Sequence, residues 1–216
     1  MPLKLKDRLS SWKGRFFLHD NMPGPFHETE SIFVHIPKAA GSSVSMSLYG
    51  IQVGHRTFKD YTFCSAKKAE SYRSFAVCRD PLQRAFSAFE YIKRGGITEY
   101  DRRICYKYDL STMDFNSFVL DKLYVMCRAG VLHFLPQHHF VERYANGPIG
   151  VKRIFHLESL SDDFSEIYDY VRRKDESGQI RKLNKGMATE RDFPKDVRDE
   201  IRKVYERDYW VFGYSL

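Results

Sequence analysis

The fold is decided by residues 31–44, whose sequence is SIFVHIPKAAGSSV. The stretch opens with an apolar run that contains β-branched residues, which predicts a buried strand. Pro37 has no backbone donor and ends that strand. Small residues and the hydroxyls of Ser42 and Ser43 then lead into an apolar-periodic segment, which predicts a helix. A strand–turn–helix unit presents backbone N–H groups and a positive helix end, so with Lys38 it predicts a cradle for phosphate or sulfate.

This cradle differs from the phosphate loop of ATP and GTP hydrolases. The GxxxxGK[ST] pattern is absent, and Lys38 precedes Gly41 instead of following it. A plain nucleotide hydrolase is therefore disfavoured. Taken alone, the stretch is also compatible with an ordinary strand–helix turn that carries a solvated lysine.

A second element begins at Arg79. It follows the predicted strand Ser74–Cys78, and Asp80 and Pro81 predict a helix start after it. Ligands of open α/β sheets bind at the carboxyl ends of strands, so Arg79 and Ser87 of the next helix could grip one phosphate together. The alternative is that Arg79 pairs with a local carboxylate such as Asp80.

Strands alternate with helices along the chain, which predicts an α/β fold with a central parallel sheet flanked by helices. Further strands are predicted over Val151–Leu157 and, as a short one, Ile51–Val53. Residues 1–30 form a basic N-terminal lead that ends in a linker at Pro23–Pro25, and residues 31–216 form a single domain.

Composition narrows the class of protein. The 216 residues are 43% hydrophobic, which is typical of a folded domain. Their net charge of +7 is compatible with an anionic ligand or partner. The four cysteines show no metal-like spacing and are expected to be free thiols. No segment is apolar enough to span a bilayer, so a cytoplasmic location is expected, or a lumenal one if a membrane anchor has been removed.

Several segments of the chain resemble a known family. PKAAGSS, residues 37–43, is similar to the 5′-phosphosulfate loop of sulfotransferases that use 3′-phosphoadenosine 5′-phosphosulfate (PAPS), and RDPLQRAFSAF, residues 79–89, is similar to their 3′-phosphate element. NKG, residues 184–186, resembles their late basic loop, and YERDYWVFGY, residues 205–214, resembles their terminus. The lysine-to-glycine spacing is closest to the carbohydrate branch, including the 2-O-sulfotransferase group.

The resemblance implies a P-loop-like, three-layer fold, a PAPS donor and no metal. It also implies a specific role for each of the following residues. Lys38 would stabilise charge on the oxygen between phosphorus and sulfur. The 5′-phosphate would be held by Ala40, Gly41, Ser42, Ser43 and Val44. The 3′-phosphate would be held by Arg79, Ser87, Lys185 and Gly186.

A general base is also required, and histidine suits this role near neutral pH. His55 is the predicted base, because related 2-O-sulfotransferases have a histidine at a similar distance before the arginine. Roles for Glu158 and for the cluster His133, His138 and His139 stay open, and no companion carboxylate supports a metal site there.

The acceptor is expected to be a hydroxyl compound, with a saccharide favoured and a phenol or tyrosine peptide not distinguished. Two other functions stay open. One is a nucleotide kinase or NTPase with an atypical phosphate loop, although no strand-end aspartate is evident for magnesium. The other is a non-catalytic module that binds anionic glycans; nucleic acid is not an expected partner.

Overall fold

A small parallel sheet lies at the centre of the molecule. The computed structural model describes residues 21–171 and 192–215. Its three strands lie side by side in chain order, and they are β1 (Ser31–Val34), β2 (Arg73–Cys78) and β3 (Arg153–His156). Every residue of β1 is buried, as is typical of a parallel sheet covered on both faces. The predicted α/β fold with a parallel sheet flanked by helices is confirmed.

Helices surround this sheet. In chain order they are α1 (Gly24–Thr29), α2 (Gly41–Tyr49), α3 (Phe58–Cys64), α4 (Ala66–Ser71), α5 (Pro81–Lys93), α6 (Glu99–Lys107), α7 (Phe115–Phe118), α8 (Tyr124–Arg128), α9 (His138–Val141), α10 (Leu160–Val171), α11 (Lys195–Val204) and α12 (Glu206–Phe212). A π-helical turn, Val119–Leu123, joins α7 to α8, and short 3₁₀ turns cover Leu132–Phe134 and Leu157–Ser159.

Local sequence accounts for the helix starts next to the sheet. The Asp80 side chain accepts a hydrogen bond from the Gln83 N–H at 2.8 Å, and Pro81 occupies the first turn of α5, as predicted. Thr98 and Asp101 form a reciprocal capping box at the start of α6. These caps satisfy backbone donors that a helix N-terminus leaves unpaired.

Two local predictions were wrong. Ile51–Val53 does not form a strand; the segment from residue 51 to residue 57 has no regular structure and brings His55 back toward β1. The predicted linker at Pro23–Pro25 is instead the start of α1. A proline in the first turn suits a helix N-terminus, and Phe26 of this helix is fully buried against the rings of Tyr49 and Tyr61.

The hydrophobic side chains form two clusters. One surrounds the sheet and includes Phe33, Phe75 and Phe155. The other is built on α5 and contains Phe89 and Phe118, whose rings stack at 4.9 Å. Because β1 and β2 are parallel, their carboxyl ends lie at one edge of the sheet, next to the start of α5.

Two predictions concern the whole chain. All four cysteines are free in the structure, in agreement with the expectation of thiols. In the described ranges, no helix has both the length and the apolar character that crossing a membrane requires.

Candidate active site

The loops that follow β1 and β2 meet at the carboxyl edge of the sheet. Lys38 lies in the first loop and Arg79 in the second. The Arg79 Nη1 group donates to the Lys38 carbonyl oxygen at 3.4 Å, and the Arg79 charge acts on the Lys38 ammonium, so the two motifs meet at this edge. Parallel pairing explains this meeting, because Val34 of β1 is aligned with Ala76 of β2.

The backbone of the first loop is shaped to leave donors open. Lys38 and Ala40 adopt left-handed φ angles of 69° and 57°. The N–H groups of Ser43 and Val44 both donate to the Ala40 carbonyl, at 3.0 and 3.2 Å. The N–H groups of Gly41 and Ser42 donate to no group in the described ranges. These two N–H groups, at the positive end of α2, are available to an anion.

A close contact explains why residue 41 is glycine. The buried ring of His35 lies against Gly41, and a Cβ atom there would stand 1.8 Å from the His35 Cδ2 atom. No relaxed packing accommodates that distance. The glycine therefore lets the loop close over His35.

Arg79 is half-buried and lacks an acidic partner. Its guanidinium pairs with no carboxylate of residues 21–171 and 192–215, and burial lowers its pKa. The alternative of an Arg79–Asp80 pair is not what the structure contains, because the Asp80 carboxylate caps α5. Ser87 lies half-buried on α5, two turns beyond Asp80.

Lys38 is held by an aromatic ring. Its Nζ lies 4.1 Å from the ring centroid of Tyr91, a residue of α5. Burial and the nearby Arg79 charge lower the pKa of Lys38 to about 8, although the Asp101 carboxylate raises it in part. Near neutral pH the ammonium is charged but readily deprotonated.

His55 is held in the tautomer that a general base requires. Its Nδ1 lies 3.1 Å from the His35 carbonyl oxygen, which can only accept, so Nδ1 carries the proton and Nε2 keeps its lone pair. Burial lowers the pKa of His55, while the His35 carbonyl and the Asp101 charge act in the opposite direction. The ring is therefore neutral near pH 7.

A chain of contacts links His55 to Lys38. The His55 ring lies 6.2 Å from that of His133, whose Nε2 is 3.0 Å from Asp101 Oδ1. The Tyr91 hydroxyl donates to Asp101 Oδ2 at 2.8 Å. Burial raises the pKa of Asp101, but hydrogen bonds from Thr98 and Tyr91 and the His133 charge outweigh it, so the pKa falls to about 2. The structure thus brings the predicted base and the predicted lysine to one site.

The comparison with protein families agrees with this geometry. A model described as the sulfotransferase family matches residues 27–215. The chain belongs to the sulfotransferase family. This confirms the family predicted from the two motifs. No curated protein and no solved structure gives a significant match to the chain.

The sulfotransferase also contains site residues that sequence reasoning missed. The buried Gln137 amide forms two hydrogen bonds with the backbone of Arg79, accepting from its N–H at 3.0 Å and donating to its carbonyl at 2.7 Å. Glu158, whose role was open, accepts from the Asp80 N–H and from the Tyr214 hydroxyl, both at 2.8 Å. These two side chains hold the segment that carries Arg79.

Only a partial signal for Tyr91 and Asp101 was present in the sequence. Tyr91 shares a helix face with Ser87, and the pattern from Thr98 to Asp101 is that of a capping box. Neither pattern shows that the phenol and the carboxylate meet. Gln137 had no signal, because it lies 58 residues from Arg79 in the chain.

A second histidine group lies at α9. His138, His139 and Glu142 bring possible metal-ligand atoms within 4.8 Å of one another, a companion carboxylate that the sequence did not reveal. The two buried members have protein partners: His138 Nδ1 lies 2.6 Å from Asp208, and Glu142 pairs with Arg207 at 2.6 Å. These pairs tie α9 to α12. Two further predicted donor-binding residues, Lys185 and Gly186, fall outside the described residues.

Proposed function

We propose that this sulfotransferase moves a sulfuryl group from PAPS to a hydroxyl group of a saccharide. The observation that carries the proposal is the pair Lys38 and Arg79, which come from neighbouring strand ends and have no carboxylate partner in the described ranges. Two cations beside the open N–H groups of Gly41 and Ser42 suit a ligand with several anionic groups.

The donor would be held at two ends. Gly41 and Ser42 would give backbone N–H groups to the 5′-phosphate, with Ala40, Ser43 and Val44 completing the loop. Arg79 would bind the 3′-phosphate through its guanidinium fork, with Ser87, Lys185 and Gly186 as further contacts. The 3′-phosphate is the group that separates PAPS from ATP, so Arg79 would decide donor choice.

The chain offers the two groups that sulfuryl transfer needs. The acceptor oxygen forms a bond to sulfur while the bond from sulfur to the bridging oxygen breaks, and the electron pair of that bond stays on the phosphate. Lys38 would stabilise the charge on this oxygen. His55 would take the acceptor's proton on Nε2, since Nδ1 is already protonated. No step in this scheme requires a metal ion.

The choice of a saccharide acceptor rests on the sequence resemblance. The spacing from Lys38 to Gly41 is similar to that of carbohydrate sulfotransferases. A cation and an aromatic side chain near the lysine are compatible with this acceptor: the Arg94 charge acts on Lys38, and the Tyr91 ring lies against it.

Donor choice can be tested by calorimetry with adenosine 3′,5′-bisphosphate, ADP and ATP. We expect the bisphosphate to bind at least about tenfold more tightly than ADP, because only it has a 3′-phosphate. Arg79→Gln should remove most of this preference, whereas Arg103→Gln, at an exposed position of α6, should preserve it. Equal binding of ATP and the bisphosphate by the unaltered protein would contradict the proposal.

The acceptor class can be tested with PAPS that carries labelled sulfate. A panel of neutral and acidic oligosaccharides, phenols and tyrosine peptides is incubated with the enzyme, and label on each acceptor is counted. Transfer to oligosaccharides is expected. Transfer confined to phenols or tyrosine would overturn the acceptor class and leave the donor assignment intact.

A further inference from the structure

Tyr91 stands between a lysine and a carboxylate that do not touch. The Lys38 ammonium lies over the ring face at 4.1 Å, and the hydroxyl at the ring's far end donates to Asp101 at 2.8 Å. Lys38 and Asp101 form no ion pair with each other, although the Asp101 charge raises the pKa of Lys38. The lysine therefore has a negative charge nearby without a direct salt bridge.

The difference between a ring and a carboxylate matters for a catalytic lysine. A half-buried salt bridge would neutralise the ammonium and hold it in charge-assisted hydrogen bonds. A ring face attracts a cation by about 1 kcal/mol and takes none of its three N–H donors. The ammonium on Tyr91 keeps its charge and its donors for an incoming anion.

The ring itself is fixed firmly. Besides the Tyr91 hydroxyl, Asp101 accepts from the backbone N–H groups of Ile97 and Thr98, at 3.2 and 2.9 Å, and from His133 at 3.0 Å. The Tyr91 hydroxyl in turn accepts from the Ile97 N–H at 3.0 Å. With these donors, Asp101 is held at the start of α6 and cannot swing toward Lys38.

We propose, on the basis of the function proposed above, that Tyr91 is a positioning residue that keeps Lys38 charged and free to engage the donor. Asp101 supports it in two ways: it orients the phenol, and it supplies a negative charge at a distance. Replacing the ring should therefore make Lys38 lose its proton more easily, because the charged form loses its π contact.

The other charges around Lys38 do not replace this arrangement. Arg79 after β2 and Arg94 after α5 are cations and oppose its protonation. The imidazoles of His55 and His133 are also coupled to the lysine charge, and protonation of either would oppose it. Among the described residues, Asp101 is the one carboxylate whose charge raises the pKa of Lys38.

The test measures protons taken up when adenosine 3′,5′-bisphosphate binds at pH 8, by calorimetry in two buffers of different ionisation enthalpy. Lys38, with a pKa of about 8, is half-protonated there, so binding should draw in about half a proton. Tyr91→Leu should raise this to about 0.8 proton, because loss of the ring lowers the lysine pKa by about 0.5–1 unit. Tyr91→Phe keeps the ring but loses the hydroxyl that Asp101 orients, so its proton uptake should lie between those of the unaltered protein and Tyr91→Leu.

Two further variants make the result decisive. Lys38→Met gives the proton uptake of all other groups, which is subtracted from each value. Asp101→Asn removes the distant charge and should also raise the uptake above half a proton. In transfer assays Tyr91→Leu should lower kcat about fivefold and leave the KM for PAPS within about twofold.

The outcomes separate this proposal from the function on which it rests. If the unaltered protein does not bind the bisphosphate, the proposed function fails. If it binds, and neither Tyr91→Leu nor Asp101→Asn changes the proton uptake, Tyr91 has only a structural role and the positioning proposal is overturned.

Discussion

At the residue scale, Lys38 and His55 make opposite demands on pH. In the proposed mechanism, the base His55 must be neutral and Lys38 must be protonated. The pKa of His55 is lowered by burial, so the base stays competent below its ordinary value of 6.5. The pKa of Lys38 is about 8, so its contribution is lost as pH rises through that value. Both shifts have the same main cause, which is the removal of water from a charged form.

These shifts predict a bell-shaped pH dependence of kcat/KM for the free enzyme. The acid limb should fall below pH 6.5 and the alkaline limb near pH 8. Initial rates with subsaturating PAPS between pH 5 and pH 10 measure both limbs. An alkaline limb near the ordinary lysine value of 10.5 would contradict the role given to the buried Lys38.

His55→Ala isolates the base. Transfer should fall by about 10²–10⁴-fold, while the affinity for adenosine 3′,5′-bisphosphate should stay within about twofold. His27→Ala gives a matched loss of an imidazole on α1, where the ring packs against Tyr72 before the amino end of β1. Turnover retained in His55→Ala would move the base to another residue.

Gly41 gives a second residue-scale prediction, which concerns stability. Gly41→Ala introduces a Cβ that collides with the His35 ring, so it should lower the free energy of unfolding by about 1–3 kcal/mol. Gly24→Ala is the control, because a Cβ there meets nothing within 4 Å. Urea denaturation of both variants measures the difference. Equal stability would mean that the His35 ring is not packed against the loop.

At the scale of elements, the site depends on how the start of α5 is held. Arg79 directly precedes Asp80, the N-cap of this helix, so the position of the Arg79 backbone sets the position of its guanidinium group. The Gln137 side-chain amide forms hydrogen bonds with both the N–H and the carbonyl group of Arg79. The backbone N–H of Gln137 donates to the buried Asp208 at 2.7 Å. The carboxyl end of β2 is thus connected to α12 through one glutamine.

Gln137→Leu should therefore weaken donor binding. The variant leaves the Arg79 N–H and carbonyl groups without their partner, and two lost hydrogen bonds correspond to about 1–3 kcal/mol. We expect the dissociation constant of adenosine 3′,5′-bisphosphate to rise about tenfold. Gln83→Leu, on α5, makes the same chemical change without breaking this clamp. Unchanged binding in Gln137→Leu would show that Arg79 does not need the clamp.

At the scale of the whole molecule, the site contains buried histidines. Folding lowers their pKa values because it removes the rings from water. Burial lowers the pKa of His35 to about 3 and that of His133 to about 4, against 6.5 in the unfolded chain. Below pH 6.5 the unfolded chain therefore binds more protons than the folded one. Folding stability must fall as pH decreases from 6.5 toward 4.

The free energy of unfolding is expected to fall by roughly 2–4 kcal/mol between pH 7 and pH 5, since one group contributes up to about 1.4 kcal/mol per pH unit. Urea denaturation at the two pH values measures it. His35→Gln removes the group that takes up a proton at this position. The pH dependence of the free energy of unfolding should therefore become smaller by the contribution of one histidine. A stability that does not change over this range would mean that these rings are solvated.

Periodicity and turn chemistry predicted most of the elements from local patterns. The strand before Pro37, the Asp80–Pro81 helix start and the alternation of strands with helices are encoded within a few residues each. The wrong strand at Ile51–Val53 shows the limit of this reasoning. Ile51 and Val53 are separated by the polar Gln52, and so short a pattern does not specify a strand by itself.

The amino-acid order was sufficient to predict the family, the α/β class and the two motifs of the proposed donor site, because each is encoded in a short local pattern of the chain. Tertiary structure alone decided the surroundings of the catalytic candidates. Tyr91 under Lys38, the carbonyl that sets the His55 tautomer and Gln137 on Arg79 join residues 20 to 58 positions apart. Burial, which shifts the pKa values of Lys38 and His55, likewise exists only after the chain has folded.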